Sequence, residues 1–243
     1  MIEQKTKIWD IHTHIIPGVD DGSDSLETTW FMVNSMYKNG VRGIFATPHS
    51  EYLMKTPKST REKYQKTVQR LRSSFPDLEI RMGCEMYCDL GKVEESLSAL
   101  DSGVLPTMNG TRFVLVEFYS GLLFHDICTC VEQFLSRGYI PIIAHVERYR
   151  DLYNRVDRVR RLREMGCKIQ LCMYSLEEYG ETKSRDWSRL LIEEQFVDYL
   201  ATDCHNFWVR LPSIAGGMEY LKKHCSTEYL EQITWKNAQT DFG

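Results

Sequence analysis

Five of the seven histidines, and several carboxylates, stand at the ends of short apolar segments: Asp10-Ile11-His12-Thr13-His14, Thr47-Pro48-His49, Cys84-Glu85, Val116-Glu117, Ala144-His145 and Asp203-Cys204-His205. Alternate residues of a strand share a face, so Asp10, His12 and His14 are expected to point one way and Asp203 and His205 to do the same. Imidazoles and carboxylates without a thiolate suit divalent ions such as manganese, iron or zinc. Nine candidates at these strand ends, Asp10, His12, His14, His49, Glu85, Glu117, His145, Asp203 and His205, are more than one ion can coordinate. Two or three ions are therefore expected, bridged by a carboxylate and placed to activate water and to neutralise a phosphate during hydrolysis. Taken singly, each of these residues is explained as well by an ordinary core or surface position. Their shared place at strand ends is what favours a metal centre, because buried charges are costly unless paired or metal-bound.

The elements that must position them are seven short β-rich segments: residues 8–14, 43–49, 79–86, 113–118, 141–146, 168–173 and 197–205. Helical patterns alternate with most of them. Residues 24–39 carry Leu26, Trp30, Val33, Met36 and Tyr37 at spacings of three and four, with Gly40 as a C-cap. Further helices are expected at 59–75, 126–137, 156–165, 187–195 and 213–224, and irregular rim segments at 50–58, 89–108 and 173–185. Repeated strand and helix imply a parallel sheet. With no linker between the units and no G-x-G-x-x-G after the first strand, closure into a distorted (β/α)7 TIM-like barrel is favoured over an open sheet. One domain is expected over residues 1–243. All the strand ends would then meet at one mouth.

The composition, 42% hydrophobic and 26% charged with a net charge of -4, is that of a chain able to bury a core and lacks the basic stripe that binds nucleic acid. Residues 1–7 do not read as a secretion signal, and no apolar run is long enough for a membrane span, so a cytoplasmic protein without membrane insertion is expected. The eight cysteines contain no C-x-x-C pair and read as reduced and structural. Nothing in the sequence sets an oligomeric state. Cys204 to Arg210 has the C-x5-R spacing of thiol phosphatases, but Phe207, Trp208 and Val209 leave no room for a phosphate-cradling backbone nest. Asp20 to Asp24 hints at a calcium loop, yet Phe31 stands where an EF-hand needs its closing Glu. A turn into a helix N-cap explains that segment better.

In order along the chain, His12-Thr13-His14, Pro17-Gly18-Val19-Asp20-Asp21-Gly22, Ala46-Thr47-Pro48-His49, Gly83-Cys84-Glu85-Met86-Tyr87, Leu115-Val116-Glu117-Phe118, Ile143-Ala144-His145-Val146-Glu147-Arg148-Tyr149 and Thr202-Asp203-Cys204-His205-Asn206 resemble the PHP superfamily. Within it the chain resembles bacterial manganese-dependent protein-tyrosine phosphatases of the CpsB/CapC/YwqE type. That resemblance implies a PHP-type (β/α)7 barrel, a three-metal centre, and activity on phosphotyrosine of a tyrosine autokinase of capsule or exopolysaccharide assembly. It implies one metal on His12, His14, Glu85 and Asp203, a second on Glu85, Glu117 and His145, and a third on Asp21, His49 and His205. It also implies phosphate-binding roles for Arg148 and Arg210, whose planar forks suit that anion. The chain departs from the family's small polar stretch after the sixth strand, where it has Leu171-Cys172-Met173-Tyr174-Ser175. Two other readings are a phosphatase of a small metabolite such as histidinol phosphate, and a non-catalytic metal-binding regulator.

Overall fold

Alternation along the apolar segments becomes two parallel sheets in a computed structural model that describes residues 7–178 and 182–243. The strands are β1 (Ile8–Thr13), β2 (Val41–Ala46), β3 (Glu79–Met82), β4 (Glu85–Cys88), β5 (Phe113–Phe118), β6 (Ile140–Ile143), β7 (Lys168–Cys172) and β8 (Tyr199–Ala201). The helices are α1 (Leu26–Lys38), α2 (Ser50–Lys55), α3 (Pro57–Arg72), α4 (Val93–Asp101), α5 (Phe124–Ser136), α6 (Val156–Met165), α7 (Thr182–Glu193), α8 (Ala215–His224), α9 (Thr227–Glu231) and α10 (Asn237–Phe242). One sheet has the order β1-β2-β3 and the other β4-β5-β6-β7-β8. Two parallel bridges, Thr13 with Cys204 and His49 with Glu85, join the sheets at both seams and close the barrel.

The third expected strand, 79–86, is two strands. At Gly83 a Cβ would lie 2.6 Å from Met108 Sδ, so a larger residue would have to displace that buried side chain, and the Gly83 N–H donates to Ala46 O at 3.0 Å. Before this point the chain pairs with β2, and after it with β5. The barrel thus has seven staves, the third made of two offset pieces. The seventh stave, expected over 197–205, is regular only over Tyr199–Ala201 because Asp203 takes a left-handed φ of 51°. Its backbone still reaches β1: Asp203 N–H donates to His12 O and His14 N–H to Cys204 O, both at 2.9 Å.

The first helix starts where a side-chain oxygen can close it, Ser25 Oγ accepting from Thr28 N–H at 3.1 Å. The segment 20–24 is the turn before that N-cap. Helices also fill rim segments expected to be irregular. Helix α4 lies within 89–108 because Val93, Leu97 and Leu100 fall on one buried face, and α2 lies within 50–58. Residues 1–6, and 179–181 of the expected rim segment 173–185, lie outside the described residues.

Alternate strand residues fall into two packed groups. Ile8, Ile44, Val114, Val116, Ile143, Ile169 and Leu200 belong to the large cluster shared with the helices. Trp9, Phe45, Phe113, Leu115, Ile142 and Tyr199 form a second cluster with Phe242 of α10. This second group fills the lower barrel and leaves the upper ends of the strands to polar side chains.

Candidate metal centre

Three histidines at the mouth have one ring nitrogen committed to a fixed acceptor. His12 Nδ1–H donates to Gln170 Oε1 at 3.2 Å, His14 Nδ1–H to Asp20 Oδ2 at 2.7 Å, and His205 Nδ1–H to the carbonyl of Asp203 at 3.0 Å. Such a bond fixes the tautomer and leaves the Nε2 lone pair for a ligand. The free nitrogens face one another and carboxylates. His12 Nε2 and His14 Nε2 are 3.3 Å apart, and each lies 3.2 Å from Glu85 Oε2. Asp203 Oδ1 is 3.3 and 3.4 Å from the same two nitrogens. Glu85 Oε2 is fully buried and, despite these short approaches, has no hydrogen-bond donor aimed at it. Acceptors converging without donors need a cation between them, and the donor set fits a divalent ion.

Metal-free, the pocket draws protons instead. Burial opposes charging His14, but Asp20, Asp203 and Glu85 outweigh it and raise the imidazole well above 6.5. Burial also opposes ionising Glu85, yet the histidines around it, His12 foremost, hold the carboxylate well below its usual range. Burial and the neighbouring Arg148 disfavour charge on His145, but Glu117 and Glu85 carry it up to about 9. Burial and the charge on His14 push His205 down to about 4. A metal would displace the histidine protons.

Three groups of ligand atoms, each within 4.8 Å of one another, emerge: His12, His14, Glu85 and Asp203; His49, Glu85 and Glu117; and His14, Asp21, His49 and His205. His145 stands beside the second, its Nε2 2.9 Å from Glu85 Oε1 and 3.4 Å from Glu117 Oε1. His49 faces two ways, Nδ1 3.0 Å from Glu85 Oε2 and Nε2 3.3 Å from Asp21 Oδ1. Asp21 also lies 3.3 Å from His205 Nε2 and is the exposed member of the set. The nine ligands implied by the resemblance are thus in one cluster, eight of them strand-end candidates and the ninth Asp21.

Arg148 and Arg210 meet the same cluster through Asp203. Asp203 Oδ2 accepts from Arg148 Nη2 at 2.5 Å and from Arg210 Nη1 at 2.9 Å, while Oδ1 faces His12 and His14 and also accepts from Arg210 Nη1 at 3.1 Å. One buried carboxylate therefore links the nitrogen cluster to two guanidinium groups.

Asp10 does not share this environment. Its carboxylate accepts from Thr202 N–H at 3.0 Å and Thr202 Oγ1 at 2.6 Å, taking the place of ladder bonds in the β1–β8 seam, and burial pushes its pKa up to about 6. Three supporting residues were not singled out from the sequence. Asp20 orients His14 and accepts from His49 N–H at 3.1 Å. Gln170 orients His12 and accepts from His145 N–H at 2.8 Å. Tyr174 accepts from Arg148. The one available signal was Gln170, a polar residue between Ile169 and Leu171 in a strand without a ligand of its own. Cys204 is fully buried, its Sγ beside Met36 Sδ at 4.0 Å, and burial holds its thiol well above the usual range. It is not placed to act as a nucleophile.

Residues 8–242 match the sequence profile for capsular polysaccharide synthesis proteins CpsB/CapC. The chain belongs to the CpsB/CapC family. It is 32% identical over 240 residues to tyrosine-protein phosphatase CpsB of Streptococcus agalactiae serotype III, covering 95% of this chain and 96% of that one. It also resembles a crystal structure from work on YwqE of Bacillus subtilis and CpsB of Streptococcus pneumoniae, described as unique metal-dependent tyrosine phosphatases. The TM-score is 0.81 at 26% identity, with 97% of this chain and 94% of that chain covered. A phosphotriesterase from Mycobacterium tuberculosis, TM-score 0.63 at 12% identity over 98% of this chain and 94% of that one, shares the fold alone. Among the described residues no helix is long and apolar enough to cross a membrane.

Proposed function

We propose that this CpsB/CapC-family chain is a metal-dependent protein-tyrosine phosphatase working as one domain in the cytoplasm, with manganese as its ion. Its substrate would be phosphotyrosine on a tyrosine autokinase of capsule or exopolysaccharide assembly. The observation that carries this reading is the place of Asp203, whose Oδ1 faces His12 and His14 while its Oδ2 accepts from Arg148 and its two oxygens share Arg210. It sets an anion-binding edge directly beside a metal-binding pocket.

The first ion would be held by His12, His14, Glu85 and Asp203, the second by Glu85, Glu117, His145 and His49, and the third by Asp21, His49 and His205. When bound, divalent ions supply Lewis acidity and lower the pKa of water enough for hydrolysis at neutral pH. The chain's own part is orientation. Asp20 and Gln170 hold His14 and His12 in the tautomer that presents Nε2. Arg148 and Arg210 offer N–H groups to the non-bridging phosphoryl oxygens, where charge is spread in the transition state. A phenolate is a good leaving group and asks little of a general acid.

The test is hydrolysis of p-nitrophenyl phosphate and a phosphotyrosine peptide by chelator-stripped protein, before and after manganese, with and without a thiol-alkylating agent. Activity restored by manganese and indifferent to alkylation is expected. Activity that alkylation abolishes, or preference for an amino-alcohol phosphate over phosphotyrosine, would refute the proposal.

A further inference from the structure

The stave β7 gives no ligand to any of the three groups, and it leads directly into a tight turn, Met173–Leu176. That turn is firmly held. Glu147 Oε1 accepts from Cys172 N–H at 3.3 Å and from Ser175 Oγ at 2.8 Å. Helix α8 also packs onto it at Gly217, where a Cβ would come within 2.7 Å of Met173 O. The half-buried side chain carried on this platform is Tyr174.

Tyr174 Oη accepts two hydrogen bonds from one guanidinium, from Arg148 Nε at 3.1 Å and from Nη2 at 2.8 Å. Nη2 also reaches Asp203 Oδ2 at 2.5 Å and Cys172 Sγ at 3.8 Å. The Nε and Nη2 edge of the fork is thus fully committed, and among the described residues Nη1 has no partner. Without Tyr174 the guanidinium would be held through Nη2 alone, by Asp203 and the weak acceptor Cys172 Sγ, with nothing on Nε to set its plane. The phenol oxygen on the same edge fixes that plane.

We propose that Tyr174 is a positioning residue for phosphate binding: it grips the Nε and Nη2 edge of Arg148 so that Nη1 is presented to a phosphoryl oxygen. The inference rests on the phosphatase reading. A guanidinium already aligned loses less freedom when it binds a tetrahedral oxyanion. Tyr174 then tunes anion affinity as a neutral acceptor acting through Arg148.

The test is Tyr174→Phe in the manganese-reconstituted protein, with melting temperature as the check on folding. Removing an acceptor from a charged donor is expected to cost roughly tenfold. That loss should appear as a higher KM for p-nitrophenyl phosphate with kcat less affected, and as an equal rise in the dissociation constant of inorganic phosphate measured by calorimetry. In an Arg148→Lys background the same substitution should do little, because lysine has no edge to hold. Phosphate affinity within twofold of wild type, or a loss that adds in full to the Arg148→Lys effect, overturns the inference. A wild type that binds phosphate yet hydrolyses no phosphoester would sink the phosphatase reading instead, with the calorimetry still deciding the role of Tyr174.

Discussion

The lower and upper halves of the barrel are built from the same strands and obey opposite rules. Below, Phe242 packs its ring against Phe45, Phe113 and Tyr199 with centroids 5.1, 5.4 and 5.3 Å away, and its carbonyl accepts from Asn109 Nδ2 at 2.9 Å. Above, the buried side chains are His12, His14, Glu85, His145, Asp203 and His205. The lower half gains from burial of apolar surface. The upper half buries ionisable groups that oppose folding unless they find partners or a cation. Stability is stored at one end of each stave, and chemistry at the other.

Glu85 is where this contrast breaks most completely, since its carboxylate lies within 3.2 Å of His12, His14, His49 and His145 nitrogens. Glu85→Gln should lower manganese-dependent turnover by on the order of a thousandfold, the several kcal/mol expected of a bridging ligand. Its metal-free form should melt close to wild type, measured by calorimetry after chelation. A large fall in melting temperature with turnover retained would mean that Glu85 belongs to the structure and not to the chemistry.

The converse substitution is Phe242→Ala. It should cost about 3–5 kcal/mol of stability in urea unfolding, the usual result of emptying an aromatic core site. The fraction that remains folded should keep turnover within about twofold, because the loss of transfer and packing energy at the lower end leaves the mouth untouched. Equal damage to stability and to turnover would show that the two ends are coupled through the strands.

Asp20 sharpens the comparison because it belongs to both halves of the argument. Although burial opposes its ionisation, the His14 imidazole brings its pKa from 3.8 down to about 2, and its side chain is 1% exposed. A carboxylate with a depressed folded pKa contributes its stability in full above about pH 4 and loses it as pH falls toward 2. Asp20→Asn should therefore lower metal-free stability by about 2 kcal/mol at neutral pH, with the difference closing as pH falls through that window. The same variant should weaken manganese binding by about 10–100-fold. A stability difference that persists at pH 2 would show a packing effect rather than an ionic one.

How much of this was legible in the sequence follows from which periodicities survive folding. Strand positions, the seven-stave barrel and eight of the nine clustered side chains follow from alternation and from polar groups at strand ends, while Asp21, in the turn after β1, follows only from the family resemblance. Where alternation fails, so does the reading. Asp10 was expected to share a face with His12, but the irregular register between Asp10 and Thr13 turns it into the seam with Thr202. The break at Gly83 depends on Met108, 25 residues away in the chain, and no local pattern encodes such a contact. Asp20 and Asp21 are adjacent and chemically alike. Only the turn geometry makes one the orienter of His14 and sends the other outward to His49 and His205.

The smallest expected effect lies on the rim. Trp208 is 91% exposed at the tip of a loop whose two ends carry His205 and Arg210, closed by His205 N–H donating to Arg210 O at 3.0 Å. Asn206 Oδ1 accepts from the Trp208 and Val209 N–H groups at 2.8 and 2.9 Å, so the tip is braced by its own backbone and not by the indole. Trp208→Ala should accordingly change stability by less than about 0.5 kcal/mol. Turnover of p-nitrophenyl phosphate, which is too small to extend beyond the mouth, should stay at the wild-type level. KM for a phosphotyrosine peptide should rise a few-fold if residues flanking the phosphotyrosine lie against the indole. Equal effects on both substrates would instead place the influence of Trp208 on Arg210, inside the mouth, and extend the site outward to the tip of the loop.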